Sequence, residues 1–487
     1  MKKRKKVALL LLSGLAIFVL YLFVNAISFK SKQLSVQAVP LDQISEASIQ
    51  NLAEALKIKT ISPENLNDFD SSAFIEFSGF LSRTYPLSDL ILEKKTINKF
   101  SFLYKWEGID SSLNPIVLMA HLDVVPVPET DLKDWKYAPF EGKIINDTLW
   151  GRGAIDDKVG VIGIMEAVEM LIRKGFKPKR TVYLAFGHDE EIGGNNGAVA
   201  IAKYLEEKNV KAEFVLDEGG SIVQGIVPGI EKDVALIGIA EKGFVSLELS
   251  VEVEGGHSSM PKDETAIDII SKSIIDLREK PFPAQLTPPL IGFIDNLGPE
   301  MPIVNRIVFA NRTIFSSLIT KIYSQSDAGR ALVRNTIAPT IFNSGVKDNV
   351  IPQSAKATIN FRILPGSSIA EIVNHVKNAI NDDRIHIALG EFASEPSASS
   401  STTSASYEII NKSIVQVYPH VLTAPNLVIG ATDSRHFEKI SANIYRFLPI
   451  YINEGNIKSF HGINERIARK EFNSAINFYS RLIENSN

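Results

Sequence analysis

The chain has 487 residues, 45% hydrophobic and 22% charged, with a formal charge of -4 and no cysteine. That length calls for two or three cores and that composition for a folded, globular protein. Taking Lys2, Lys3, Arg4, Lys5 and Lys6 from the 52 basic residues leaves 47 against 56 acidic ones, a body with no electrostatic footprint for nucleic acid. Without cysteine there are no disulfides, thiolate ligands or cysteine nucleophiles, so any metal must be held by histidine and carboxylates.

The basic cluster precedes an apolar run over 7–24, broken only by Ser13 and Gly14. It exceeds the ~7–15 residues of a signal-peptide core and approaches the ~20 of a spanning helix. Residues 1–28 therefore read as a membrane anchor by length, with leader cleavage after Ala26 left open by Val24-Asn25-Ala26. In both cases the lysines stay cytoplasmic and the rest lies across the membrane, anchored or secreted to the periplasm or exterior. Residues 29–44 read as a polar stalk.

Helical periodicity follows, with Ile49, Leu52, Ala53 and Leu56 on one face, and recurs over 72–84. An apolar strand is expected at 115–120 and a hairpin at 143–150. Then come a helix over 159–173 closed by Gly175 and Pro178, a strand at 181–186, a helix at 197–208 and a strand at 212–216. Strands alternating with helices predict an α/β domain with a mostly parallel sheet covered on both faces, its first part spanning 45–242. From 243 the texture changes. Residues 244–253 alternate apolar and polar, and a helix (265–278), strands (338–342 and 355–364), a helix (368–380) and a strand (385–389) complete a βαββαβ unit. This predicts an inserted α+β domain over 243–394. Within it, 281–335 is a Pro-rich apolar excursion of the kind that serves as a lid or binding loop. The Ser-rich 394–406 reads as a linker, and the first domain resumes over 395–487 to a helix near 468–483.

Gly187-His188-Asp189-Glu190-Glu191-Ile192-Gly193-Gly194 follows the strand at 181–186. Adjacent carboxylates raise each other's pKa, and a cation removes that cost. One carboxylate can then bind metal while its neighbour handles a proton. Alone, such a turn is more often simply solvated. His121-Leu122-Asp123 ends the strand at 115–120, and a histidine there with an acid two residues on suits a metal ligand held through its other nitrogen. Gly151-Arg152-Gly153-Ala154-Ile155-Asp156-Asp157-Lys158 precedes a helix. An Asp there could bridge two cations, or merely favour the helix dipole. Asp217-Glu218 ends the next strand. His121, Glu190/Glu191 and Asp217 thus share one sheet edge, where open α/β sheets bind ligands. His461 is the best later candidate for a further ligand.

These motifs resemble the zinc aminoacylase/carboxypeptidase family (metallopeptidase family twenty), in its carboxypeptidase S and N-acyl-amino-acid hydrolase branch. The resemblance runs from about residue 50 to the C-terminus. It also includes Trp135, Pro139-Phe140, Gly255-Gly256-His257-Ser258-Ser259, Asn349-Val350-Ile351-Pro352, Asn360-Phe361-Arg362, Thr432-Asp433-Ser434-Arg435 and His461-Gly462-Ile463-Asn464-Glu465. It implies two zinc ions per subunit, with cobalt or manganese as substitutes. By this resemblance His121 and Asp217 hold one ion, Glu191 and His461 the other, and Asp156 bridges them. Asp123 orients His121, and Glu190 is the general base. His257 stabilises the oxyanion, from the partner subunit in dimeric members, which implies a homodimer through the inserted domain. Arg362 clamps the product carboxylate, with Gly430 and Thr432 beside the substrate. Ala431 stands where many relatives carry a second glycine, and Asn146-Asp147 replaces a turn that often contains one.

The implied activity is metal-dependent cleavage of the amide between an acyl or peptidyl group and a free amino acid. A dipeptidase or metal aminopeptidase is the alternative within the enzyme class, although Arg362 argues for a carboxylate over a free amine. A catalytically dead peptidase fold used for binding is the non-enzyme alternative, against which stand Glu190 and the complete ligand set.

Overall fold

Every residue of the strand Ile116–His121 is buried, as a continuous apolar run requires when both sheet faces are covered. In the computed structural model, which describes residues 2–63 and 65–487, this strand lies between Val182–Gly187 and Phe214–Asp217 and parallel to both. Ile444–Arg446 continues the parallel order beyond Phe214–Asp217. Side chains alternate across the sheet. Leu118 and Leu216 pack with Ile162, Ile410 and Phe478 on one side. Val117 and Val215 pack with Ile201, Leu205 and Phe437 on the other. The result is a three-layer α/β/α unit.

The sheet is mixed, where alternation predicted a mostly parallel one. Glu93–Ile97 and Ser101–Trp106 form a hairpin that joins Val182–Gly187 antiparallel. Val234–Glu241 pairs parallel with Leu422–Val428 but antiparallel with Ile444–Arg446. A short apolar strand carries no mark of its direction, which only its neighbours settle. The central strands, which carry the site, are the parallel ones.

Gly243–Glu252, Thr336–Ser344, Ser354–Ile363 and His386–Ser394 form a second, antiparallel sheet. Its apolar face (Val245, Leu247, Ile359) is covered by Ala266–Glu279 and Ile369–Ile380 through Ile270 and Val376. Both helices begin on capping boxes, Thr265 with Asp268 and Ser368 with Glu371, which satisfy orphan N–H groups at the first turn.

The excursion over 281–335 is helical, not a loop. It forms Pro288–Leu297, Ile303–Ala310, Arg312–Tyr323 and Asp327–Val333. Its prolines start helices: Pro288 and Pro289 occupy the first turn and Pro302 is a cap, positions where the missing N–H has no partner to lose. Leu290, Ile294, Ile319 and Val333 make a small core of their own, and Pro288–Leu297 packs on Leu422–Val428 of the first sheet. The expected stalk has no regular structure yet is pinned to the body. Gln33 accepts the Thr423 N–H and donates to the Asn296 carbonyl. The Ser-rich connection is packed too, since Ser400 Oγ donates to the Ile444 carbonyl at 2.7 Å.

Arg446 is wholly buried, and its Nε donates to Glu241 Oε1 at 2.7 Å. The same oxygen accepts the Thr432 N–H at 3.1 Å, so the pair ties the sheet to the 432–434 loop. Arg446→Met is expected to cost about 3–5 kcal/mol, because Glu241 is left buried without a counter-charge. Pairing it with Glu241→Gln should recover part of the loss, as read by urea denaturation of each variant.

Candidate metal-binding active site

Because Ile116–His121, Val182–Gly187 and Phe214–Asp217 run parallel and adjacent, their carboxyl ends emerge together. They deliver His121, the Glu190–Ile192 turn, and Asp217 with Glu218 to one edge, the place where such sheets bind ligands. Asp156 arrives from the loop before Lys158–Arg173. His461 comes from a turn in which it takes a left-handed φ of 53°, a conformation a non-glycine residue keeps only when its surroundings enforce it.

Asp156 stands between two imidazoles. Its Oδ1 is 3.0 Å from His121 Nε2 and its Oδ2 is 3.0 Å from His461 Nε2. His121 Nε2 also faces Glu218 Oε1 at 3.5 Å, and His461 Nε2 faces Glu191 Oε2 at 3.2 Å. Two groups that could each hold a cation result, His121/Asp156/Glu218 and Asp156/Glu191/His461, with Asp156 common to both. His121 Nδ1 donates to the Asp123 carbonyl at 3.0 Å, which frees Nε2 for the cluster. The Asp123 carboxylate accepts the N–H groups of Glu190 (3.2 Å) and Glu191 (3.1 Å). One buried acid thus holds both the histidine and the acidic turn.

Asp217, expected as a ligand, lies elsewhere. It continues the row of Val215, and its Oδ2 accepts the Ser434 N–H at 2.8 Å. Glu218, the next residue, points to the opposite side and into the cluster, as the period-two alternation of a strand dictates. Thr432 is buried, its hydroxyl and N–H both spent on Glu241, whereas Gly430 is exposed with open space around its Cα. His257 is exposed on the short strand Gly256–His257, which pairs with Val350–Ile351 in a small sheet of its own, and its Nδ1 accepts the Ser259 N–H at 3.1 Å. Among the described residues no contact joins it to the cluster within one chain. Arg362 lies over the Phe244 ring at 5.5 Å. Burial, and then the nearby Arg435, hold its pKa below the usual guanidinium range.

A model of peptidase family M20/M25/M40 matches residues 117–485. The chain belongs to this peptidase family. It is 41% identical to a probable carboxypeptidase S-like 2 from Dictyostelium discoideum, over 96% of this chain and 92% of that protein. It is 37% identical to an N-fatty-acyl-amino acid synthase/hydrolase PM20D1 from Xenopus tropicalis, over 92% and 88%. The fold superimposes on an M20 family metallo-carboxypeptidase, Sso-CP2 from Sulfolobus solfataricus, with a TM-score of 0.65 at 19% identity, covering 91% of this chain and 99% of the other. The M20 chain described here is a metal-dependent amide hydrolase.

Electrostatics make the metal requirement of this M20 site physical. Burial pushes the Glu190 carboxyl well above the usual carboxylate range and raises Glu191. Burial, and then Asp156, push Glu218 up to about 7. Burial would raise Asp156 as well, but hydrogen bonds with His121 and His461 outweigh it and hold it below the usual range. Asp156 and then Glu191 drive His461 up to about 10. Carboxylates crowded out of water outnumber their positive partners, and protons take up the excess. Divalent cations would do the same, and imidazole nitrogen with carboxylate oxygen is a donor set that suits them. Among the described residues Glu191 Oε1 is buried without a hydrogen-bond partner, a donor atom free to bind.

Three supports escaped the sequence reading. Glu465 is fully buried and accepts Arg152 Nη1 at 2.8 Å and the Ile155 and Asp156 N–H groups at 2.8 and 3.2 Å. Arg152 in turn donates to the His461 and Gly462 carbonyls, lacing the two ligand loops together. Arg435 ties the Thr432 carbonyl to that of Gly193, just after the acidic turn. The signal for all three was their place inside motifs already noted, but not their roles.

Gly194 has φ +71°, and a Cβ there would sit 2.1 Å from Asp433 Oδ1. Gly194→Ala is expected to destabilise the protein by about 1–3 kcal/mol. Combined with Asp433→Ala, the loss should fall short of additivity by more than ~0.5 kcal/mol in a double-mutant cycle, since the two sites touch.

Proposed function

We propose that this chain is a two-zinc hydrolase that cuts the amide between an acyl or peptidyl group and a free amino acid. The observation that carries the reading is the shared carboxylate: Asp156 offers one oxygen to each of two histidine–carboxylate groups. In this reading His121, Asp156 and Glu218 hold one ion, and Asp156, Glu191 and His461 the other, with Glu218 taking the place expected of Asp217. Cobalt or manganese would suit the same donors. Bound zinc would acidify a water and polarise the amide carbonyl. Glu190, whose carboxyl readily holds a proton in its buried setting, takes the water's proton and passes it to the leaving nitrogen. Asp123 keeps His121 and the acidic turn in register.

The free carboxylate of the amino acid would meet Arg362, whose fork suits it bidentately, with Arg435 close enough to add to the field. Gly430 leaves room for substrate, and Thr432 acts as a positioning residue through Glu241. His257, exposed and with Nδ1 occupied by the Ser259 N–H, would stabilise the oxyanion from a partner subunit through Nε2–H. The exposed Ile341 and Phe342 on the edge strand Thr336–Ser344 support a homodimer through this sheet. The helical excursion, seated on the strand that leads to Gly430, would wall the acyl side, and relatives named for N-fatty-acyl amino acids support a long chain there. The apolar helix Lys2–Ser28, unburied along its spanning window, would anchor the catalytic part on the face of the membrane opposite Lys2–Lys6.

The experiment is zinc-dependent release of amino acid from a panel of N-acyl amino acids and dipeptides. Long-chain acyl substrates should be preferred, and Glu190→Gln should lower turnover by about 10²–10⁴-fold. A preference for dipeptides would move the assignment to a dipeptidase. Equilibrium dialysis separates the ligands: Glu218→Gln should lose one of two bound zinc ions, and Asp217→Asn should keep both.

A further inference from the structure

The helices of the excursion leave an apolar face uncovered. On Arg312–Tyr323, Ile314, Leu318 and Ile322 recur every four residues and are 46%, 43% and 51% exposed. Ile303 and Val304, at the start of Ile303–Ala310, are 50% and 68% exposed. Residues at that spacing share one side of a helix, and a stripe of this length facing water would be costly.

The same helices grip the end of the N-terminal helix. Asn25 Nδ2 donates to Asn311 Oδ1 at 2.7 Å, and Asn311 Nδ2 donates to the Leu22 carbonyl at 3.1 Å. Arg306 donates to the Phe29 carbonyl at 2.8 Å. Asp295 pairs with both Lys32, just beyond the helix, and Arg312. The contacts fall where the apolar run ends, so the excursion is held at the level where a spanning helix leaves the hydrocarbon. An amphipathic helix fixed at that depth lies in the interface with its apolar face in the acyl boundary.

We infer that Ile303–Ala310 and Arg312–Tyr323 rest in the headgroup region of the bilayer that holds Lys2–Ser28, with Val304, Ile314, Leu318 and Ile322 as the inserted side chains. This rests on the anchor reading of the N-terminal helix. The occupant is lipid and not a second copy of the chain, because the helices that carry the face are tied by side-chain hydrogen bonds to the end of an apolar helix of spanning length. The catalytic body is thereby held against the membrane at a fixed tilt instead of hanging from a tether.

The chain has no cysteine, so single sites can be labelled in the full-length protein. Leu15→Cys, Val304→Cys, Leu318→Cys and Val346→Cys would each carry an environment-sensitive fluorophore in phosphatidylcholine vesicles. Quenching by doxyl-labelled lipid would be compared with quenching by aqueous iodide. Positions 15, 304 and 318 should be quenched several-fold more by the lipid probe, and position 346 by iodide. Lipid quenching at 15 with iodide quenching at 304 and 318 would overturn the inference and leave the anchor standing. Iodide quenching at 15 would overturn both. Shielding of labelled 318 from both quenchers, with the unlabelled Leu318→Cys protein forming a disulfide-linked dimer on mild oxidation, would show that a second copy covers the face and would overturn it as well.

Discussion

The structure depends on holding negative charge out of water at one edge of a parallel sheet. Asp123, Asp156, Asp217 and the partly covered Glu190, Glu191 and Glu218 converge there, and buried carboxylates without counter-charge are costly. Within this set Asp156 is distinctive, because an imidazole faces each of its oxygens. The displaced pKa values of the neighbouring groups share that origin. A site that resolves its excess charge by binding cations is matched to a reaction that needs a Lewis acid and a base a few ångströms apart.

Around that centre the scaffold repeats one device: a buried charged residue bridging backbone segments that are far apart in sequence. Asp123 links the end of one strand to the turn after the next. Glu465 and Arg152 link the loop of Asp156 to the loop of His461. Glu241 and Arg446 link the sheet to the 432–434 loop, from which Arg435 reaches back to Gly193. Charged groups satisfied by several hydrogen bonds fix geometry more tightly than apolar packing does, since a displaced partner is left unpaired in a low-dielectric interior. Preorganisation of this kind makes a metal site selective and a base well aimed.

The second sheet and the excursion have a different character. Their helices and strands leave apolar residues exposed at the edge strand Thr336–Ser344 and on Arg312–Tyr323. They meet the first sheet through Pro288–Leu297 and through Lys242, whose ammonium donates to the Ala331 and Arg334 carbonyls. The histidine–carboxylate cluster thus sits at the edge of the first sheet, while these exposed apolar faces are carried by the additions.

Local pattern determined much of this. The apolar run over 7–24, the helix and strand order, the βαββαβ unit and the placing of His121, Glu190/Glu191 and Asp217 at one sheet edge were legible, because each rests on periodicity or on a motif beside a strand end. The joining of Asp156 and His461 to them came from the family resemblance. Tertiary structure decided the rest. Strand direction at the sheet's flanks depends on pairing partners, so a mixed sheet could not be told from a parallel one. Asp217 and Glu218 are adjacent in sequence but lie on opposite sides of a strand end, and only the placement of His121 and Ser434 shows which of them faces the cluster. Pro288, Pro289 and Pro302, among the prolines that marked 281–335 as a lid or binding loop, stand at helix starts, since the same fixed φ that breaks a helix interior suits its first turn. The supporting roles of Glu465, Arg152 and Arg435 are long-range hydrogen bonds, which no local pattern encodes.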